Sequence, residues 1–140
     1  MPVDRWKALA TEVGANPEIP FPLYGFADFT RGKGLLDLKT STRLGFKPQW
    51  LSQIVLYCLA ENLPEWEVHL LTRNLKAARF KGTTTPEVAR SVMNEIAYRA
   101  WEIKSFIDLG MKYLPELPGW HCKFCPLPAN GQPCVRLATG

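Results

Sequence analysis

Two aspartates and a lysine straddle a tight-turn sequence. Asp28 precedes and Asp37 follows Arg31-Gly32-Lys33-Gly34, and Lys39 stands two residues beyond Asp37. If Gly32 and Lys33 form a two-residue hairpin loop, Asp28 sits directly across from Asp37. Directly opposed residues share one sheet face, with Cβ atoms about 4.5–5.5 Å apart. Lys39 lies on that face too, because strand side chains alternate with a period of two. Opposed carboxylates repel unless a cation neutralises them. Oxygen-only ligands favour a hard divalent ion, magnesium or manganese. Such an ion activates water and screens the charge of a substrate, and Lys39 would orient that water or stabilise charge developing on a phosphate. Two acids and a lysine on a mildly basic chain point to phosphodiester hydrolysis. Solvated acids on an exposed sheet face explain the same pair without a metal, and a one-residue slip of register would move an acid to the other face.

A second constellation follows the hairpin. Gln53 and Tyr57 are four residues apart, so they project from one face of a helix. An amphipathic helix edge with Tyr57 half in the core accounts for them equally simply. Thr40, Ser41, Thr42 and Arg43 supply hydroxyls and a cation suited to phosphate contact, and read just as well as a polar loop. Near the C-terminus Cys122 and Cys125 form C-x-x-C, Cys134 follows, and His121 is adjacent. The prolines and Gly131 between these thiols make a turn-rich loop suited to a metal knuckle. Clustered thiols in a reducing compartment point to metal more than to free cysteines. Cys58, on an apolar helix, reads as a buried structural residue. His69 alternates with apolar residues in a strand and reads as a satisfied core or edge histidine. Trp50, Trp66, Trp101 and Trp120 have rings able to stack on bases, although aromatics more often fill cores.

The elements that must position these groups are legible in outline. The chain has 140 residues, enough for one domain. Apolar residues make up 46% and charged residues 21%, which excludes disorder as the main state. A net charge of +4 permits a polyanionic partner without demanding one. No apolar run reaches the roughly 18 residues of a membrane span, and the N-terminus has no signal-peptide core, so an intracellular, cytoplasmic protein is expected.

Asp4 is expected to cap a first helix ending near Gly14. Tyr24–Thr30 and Gly34–Lys39 should pair as the hairpin, with Ala27, Phe29, Leu36 and Leu38 turned toward a core. Pro48 should open a helix to about Asn62, with Leu51, Ile54, Val55, Leu59 and Leu63 as its apolar positions. Trp66–Thr72 and Lys76–Phe80 read as a second hairpin around Asn74. Thr85 and Pro86 should start a long helix ended by Gly110, with Val88, Val92, Ile96, Ala100, Ile103 and Ile107 as its buried stripe. This order predicts an α/β fold, a central mixed β-sheet flanked by helices. A core over residues 1–112 would carry an irregular Pro/Cys-rich tail over residues 113–140.

Gly25-Phe26-Ala27-Asp28, Leu36-Asp37-Leu38-Lys39-Thr40 and Gln53-Ile54-Val55-Leu56-Tyr57 together resemble the RecB-like branch of the PD-(D/E)XK nucleases. That branch includes CRISPR-associated RecB-like enzymes and phage exonucleases, and the likeness covers about residues 23–80. It implies a restriction-endonuclease-like core and a divalent-metal-dependent deoxyribonuclease. The expected activity is that of an exonuclease on DNA ends or single strands, in recombination, repair or phage DNA processing. Asp28 and Asp37, with the Leu38 carbonyl, would hold magnesium or manganese. Lys39 would be the catalytic lysine, and Gln53 and Tyr57 would position the lysine region and the DNA strand. The likeness also implies a [4Fe–4S] cluster on Cys122, Cys125 and Cys134, with a structural zinc on the three thiolates and His121 as the alternative. The fourth ligand stays open among His121, Cys58, a residue of another chain, or none. A homo-oligomer or a recombination-complex partner is compatible with the likeness. So is a non-catalytic module of the same fold that binds nucleic acid or a partner.

Overall fold

Residues 1–109 are described by the structure, a computed structural model. The expected helix end at Gly110, Trp120 and the whole cysteine tail lie outside them. Met1–Ile103 forms one compact unit, and the chain from Lys104 belongs to a second. The elements run α1 (Val3–Val13), β1 (Phe29–Arg31), β2 (Gly34–Ser41), α2 (Gln49–Glu61), β3 (Glu65–Thr72), β4 (Ala77–Thr83) and α3 (Pro86–Leu109). The four strands form one mixed sheet in the order β1-β2-β3-β4. The β1–β2 and β3–β4 pairs are antiparallel hairpins, and β2–β3 is parallel through the α2 crossover. The α/β class and mixed sheet therefore stand as expected.

The turn between β1 and β2 follows directly from its residues. Gly32 takes a φ of +60°, a conformation that costs glycine little. The ladder pairs Phe29 with Leu36, Thr30 with Leu35 and Arg31 with Gly34. That is the expected register, but the ladder stops at Phe29, so the expected pairing of Asp28 with Asp37 does not form. β1 itself is shorter than expected, because the chain before Phe29 leaves the ladder.

One expectation about this hairpin is overturned. The face expected to be core is the open one: Phe29 is 54% exposed and Leu38 is 51% exposed. Leu35 and Asp37 instead face the helices, at 1% and 2% exposed. The cause is the parallel partner. Pairing of Leu35 with Trp66, Asp37 with Val68 and Lys39 with Leu70 puts these residues on the apolar face of β3. Covering that face buries Leu35 and Val68 beside Ile54 and Cys58 of α2. Each large aliphatic side chain so buried contributes about 1.5–3 kcal/mol. Ala27 is in the core as expected, but on the Leu35 side rather than with Phe29 and Leu38.

α2 begins just after Pro48 and ends at Asn62, whose left-handed conformation (φ 56°) turns the chain into β3. Its other side carries Leu56 and Leu59, which pack on a second cluster of Trp6, Ala10, Met93 and Ala97 from α1 and α3. α2 is thus sandwiched, and its position over β2 is fixed from both sides. Asp4 does not cap α1. Pro2 occupies that position and Asp4 sits in the first turn, where a carboxylate complements the helix dipole. The α3 stripe is also corrected. Ala89, Val92, Met93, Ala97 and Ala100 are buried, whereas Ile103 and Ile107 are exposed. Three of the buried residues are alanines, so small volume rather than hydrophobic size marks the packed side. Among the described residues no helix is long and apolar enough to cross a membrane.

Candidate active site at the edge of the sheet

β2 and α2 bring four of the five expected site residues into one chain of contacts. Lys39 Nζ lies 3.2 Å from Asp37 Oδ1 and 3.0 Å from Asp37 Oδ2. The same ammonium donates to Gln53 Oε1 at 2.8 Å. Gln53 Nε2 donates to the Tyr57 hydroxyl at 3.1 Å. The first link exists because residues two apart on a strand share a face. The last exists because residues four apart on a helix stack one above the other. The middle link requires that α2 cover β2, which the apolar cluster beneath it secures.

The electrostatics of this chain are uneven. Asp37 is almost wholly buried, and Lys39 is its partner at the solvent edge, with 18% of its side chain exposed. Asp37 Oδ2 makes no hydrogen bond, but it is the oxygen nearer the ammonium, so its charge is countered by the Lys39 ion pair.

Asp28, the fifth residue, arrives differently. It is exposed, and its Oδ2 accepts a hydrogen bond from the Leu38 backbone N–H at 2.9 Å. The side chain thus continues the β1–β2 ladder where the backbone has left it. The bond fixes Asp28 beside the residue that follows Asp37. The expected direct opposition of the two acids becomes an arrangement in which Asp28 is tied to the strand and Asp37 to Lys39.

A residue outside the expected site set also shapes this region. The chain at Gly25 passes against the Tyr57 ring so closely that an added Cβ would lie 2.7 Å from Tyr57 Cε1 and 3.0 Å from its hydroxyl. Gly25 was legible only as part of the motif before Asp28, and nothing local in the sequence announces the ring it meets. Further along β2, Ser41 Oγ accepts from Arg43 N–H at 3.4 Å, so this polar stretch is partly engaged with itself.

Other candidates fall elsewhere. Trp50 and Trp66 gather around Phe46, with ring centroids 5.7 and 5.6 Å away, so they serve the core. Trp101 Nε1 donates to the Glu18 carbonyl at 3.3 Å. Cys58 is buried, and burial pushes its thiol pKa up, which disfavours the thiolate a metal needs. His69 lies on the open sheet face rather than in the core, paired with Glu67. Arg79 also grips Glu67, and these two partners, Arg79 first, hold its carboxyl down to about 2. A surface concavity of about 530 Å³ lies beside this group, lined by Arg31, Lys33, His69, Arg79 and Lys81 among others. It does not include the Asp37–Tyr57 chain.

In comparisons with known proteins, no family model, curated protein or solved structure matches this chain.

Proposed function

We propose that this chain is a divalent-metal-dependent deoxyribonuclease, with Asp28, Asp37, Lys39, Gln53 and Tyr57 as its site. The observation that carries the reading is the chain of contacts from the buried Asp37 carboxylate through Lys39 and Gln53 to Tyr57. The donor set fits magnesium or manganese, because Asp28 and Asp37 offer only hard oxygens. Asp37 and Asp28 would hold the ion, together with the Leu38 carbonyl that the family resemblance adds. When bound, such an ion polarises a phosphate and lowers the pKa of water.

The chain's own residues do the positioning. Asp37 draws the Lys39 ammonium inward. Gln53 fixes its other side, leaving the charge at the solvent edge where a phosphate would sit. Tyr57 sets the Gln53 amide, since its hydroxyl accepts from Nε2. Asp28 is kept near by the Leu38 N–H. A net charge of +4 is compatible with a polyanionic substrate. An exonuclease acting in DNA recombination, repair or phage DNA processing is the form that the family resemblance adds to this geometry.

The test is cleavage of end-labelled DNA with magnesium or manganese. Asp37→Ala and Lys39→Ala should each lower the rate by about 10²–10³-fold or more, with helical circular dichroism retained. Metal-dependent cleavage that survives both substitutions would falsify the reading. The engagement of Asp28 with a backbone N–H favours a second reading, a non-catalytic DNA-binding module of the same fold. DNA binding with no cleavage under either metal would select it. We also propose a metal on Cys122, Cys125 and Cys134, as an iron–sulfur cluster or a zinc site.

A further inference from the structure

Leading into Asp28 is a stretch without helix or strand whose side chains alternate. Leu23 packs on the cluster around Trp6 and Met93. Gly25 passes against the Tyr57 ring. Ala27 packs on the cluster of Leu35, Ile54 and Val68. Their neighbours go the other way: Tyr24 is 88% exposed and Phe26 is 92% exposed. Asp28 is exposed as well. A period of two is that of an extended chain, so Tyr24, Phe26 and Asp28 stand on one side of the segment. Its start is held by the Met1 backbone, whose carbonyl accepts from Leu23 N–H at 3.1 Å. Its end is held by the Asp28–Leu38 bond. Two aromatic rings are therefore presented almost wholly to water from a segment anchored on its other side.

Such exposure needs a reason. Phenylalanine buries large apolar area in most folds, and solvent gives Phe26 nothing in return. We infer that Tyr24 and Phe26 form a stacking platform for the unpaired bases of a single DNA strand, aligned with Asp28. This rests on the nuclease reading and names its substrate class. Residues two apart in an extended chain stand about 6.6 Å apart, roughly twice the 3.4 Å repeat of stacked bases on one duplex strand. Rings at that spacing suit bases that are splayed or that insert singly between them. A duplex keeps its base faces inside its own stack, so only an unpaired strand presents them. Stacking ignores base identity, because every base has a π-face, and the platform predicts no sequence preference. The order Tyr24, Phe26, Asp28 would lead one strand from the rings to Asp28.

The test separates binding from cleavage. Fluorescein-labelled oligothymidylate and a blunt duplex of equal length are titrated with the full chain in EDTA, and anisotropy is read. Base–aromatic stacking of about 1–3 kcal/mol converts to about 5- to 150-fold in affinity per ring. Tyr24→Ala and Phe26→Ala should each weaken oligothymidylate binding within that range and leave duplex binding unchanged. Phe26→Trp should restore it, and thermal melting should be unaltered, since both rings are in water. Oligothymidylate affinity that persists in the double alanine variant would overturn the inference. So would equal losses for duplex and single strand, or a change in self-association in place of a change in DNA binding. If the rings bind the single strand but no metal supports cleavage, the platform stands and the nuclease reading falls. If duplex is cleaved with no contribution from the rings, the reverse holds.

Discussion

At the scale of single residues, the site depends on a charge pair split between core and solvent. Asp37 is buried while Lys39 reaches the surface. Removing the lysine leaves a buried carboxylate with no counter-charge. Breaking a fully buried pair costs about 3–5 kcal/mol, and the partial exposure of Lys39 places this case at or below the lower end. Removing both charges relieves the penalty. Lys39→Met should therefore lower the stability measured by urea unfolding, and Asp37→Asn combined with Lys39→Met should recover part of that loss. A double variant no more stable than Lys39→Met alone would show that the two charges are not coupled. A bound divalent ion would also oppose the loss, since a ligand that binds only the folded state stabilises it. The Lys39→Met deficit should shrink in magnesium, and the shrinkage should vanish when Asp37 is also changed.

At the scale of elements, the local signals were sound and the long-range ones were hidden. The β1–β2 register was readable because Gly32 fixes the turn, and a two-residue loop leaves one pairing. The spacing of Gln53 and Tyr57 was readable because helix periodicity is local. Which face of β2 is buried was not. The alternation Leu36, Leu38 is as apolar as Leu35 is. The choice is made by β3, which pairs in parallel from across the α2 crossover, and no residue of the hairpin encodes it. The same decision turned Asp37 from an exposed acid into a buried one and placed it under α2.

The segment before β1 is expected to be strand because it is a short apolar run beside a tight turn. Its side chains alternate, but its ladder-like bond is made by the Asp28 side chain rather than by backbone. Its register against α2 rests on Gly25. An added methyl there would meet the Tyr57 ring at 2.7 Å, and that ring is flanked by the core, so the segment must move. Gly25→Ala should cost about 1–3 kcal/mol, the usual range for overpacking, and should slow cleavage through displacement of Tyr57. Pairing it with Tyr57→Leu should restore stability without restoring the rate. Unchanged melting in Gly25→Ala would mean that the segment is not seated on α2.

For the whole molecule, the clustered thiols of the C-terminal sequence are what remains outside the sheet-and-helix body. Among the described residues there is no group of three His, Cys, Asp or Glu side chains that could hold a metal. The proposed tail metal draws on Cys122, Cys125 and Cys134, with His121 beside them. Cys58 is a poor fourth ligand, because it packs among Leu35, Ile54 and Val68 and its thiol is held protonated by burial. The two candidate metals differ in what they show. An iron–sulfur cluster brings iron, acid-labile sulfide and visible absorption, whereas zinc on three thiolates and His121 is colourless. The anaerobically purified full chain should contain one or the other. Cys125→Ser should release it under either assignment, and His121→Ala should release a zinc held on the three thiolates and His121; loss of a cluster in His121→Ala would make His121 its fourth ligand. Cys58→Ser should leave the metal in place while costing about 1–3 kcal/mol, the penalty for setting a hydroxyl in an apolar core. Metal-free protein with reactive thiols at all three tail positions would remove the metal site. Metal lost on changing Cys58 alone would instead bring that core thiol into the ligand set.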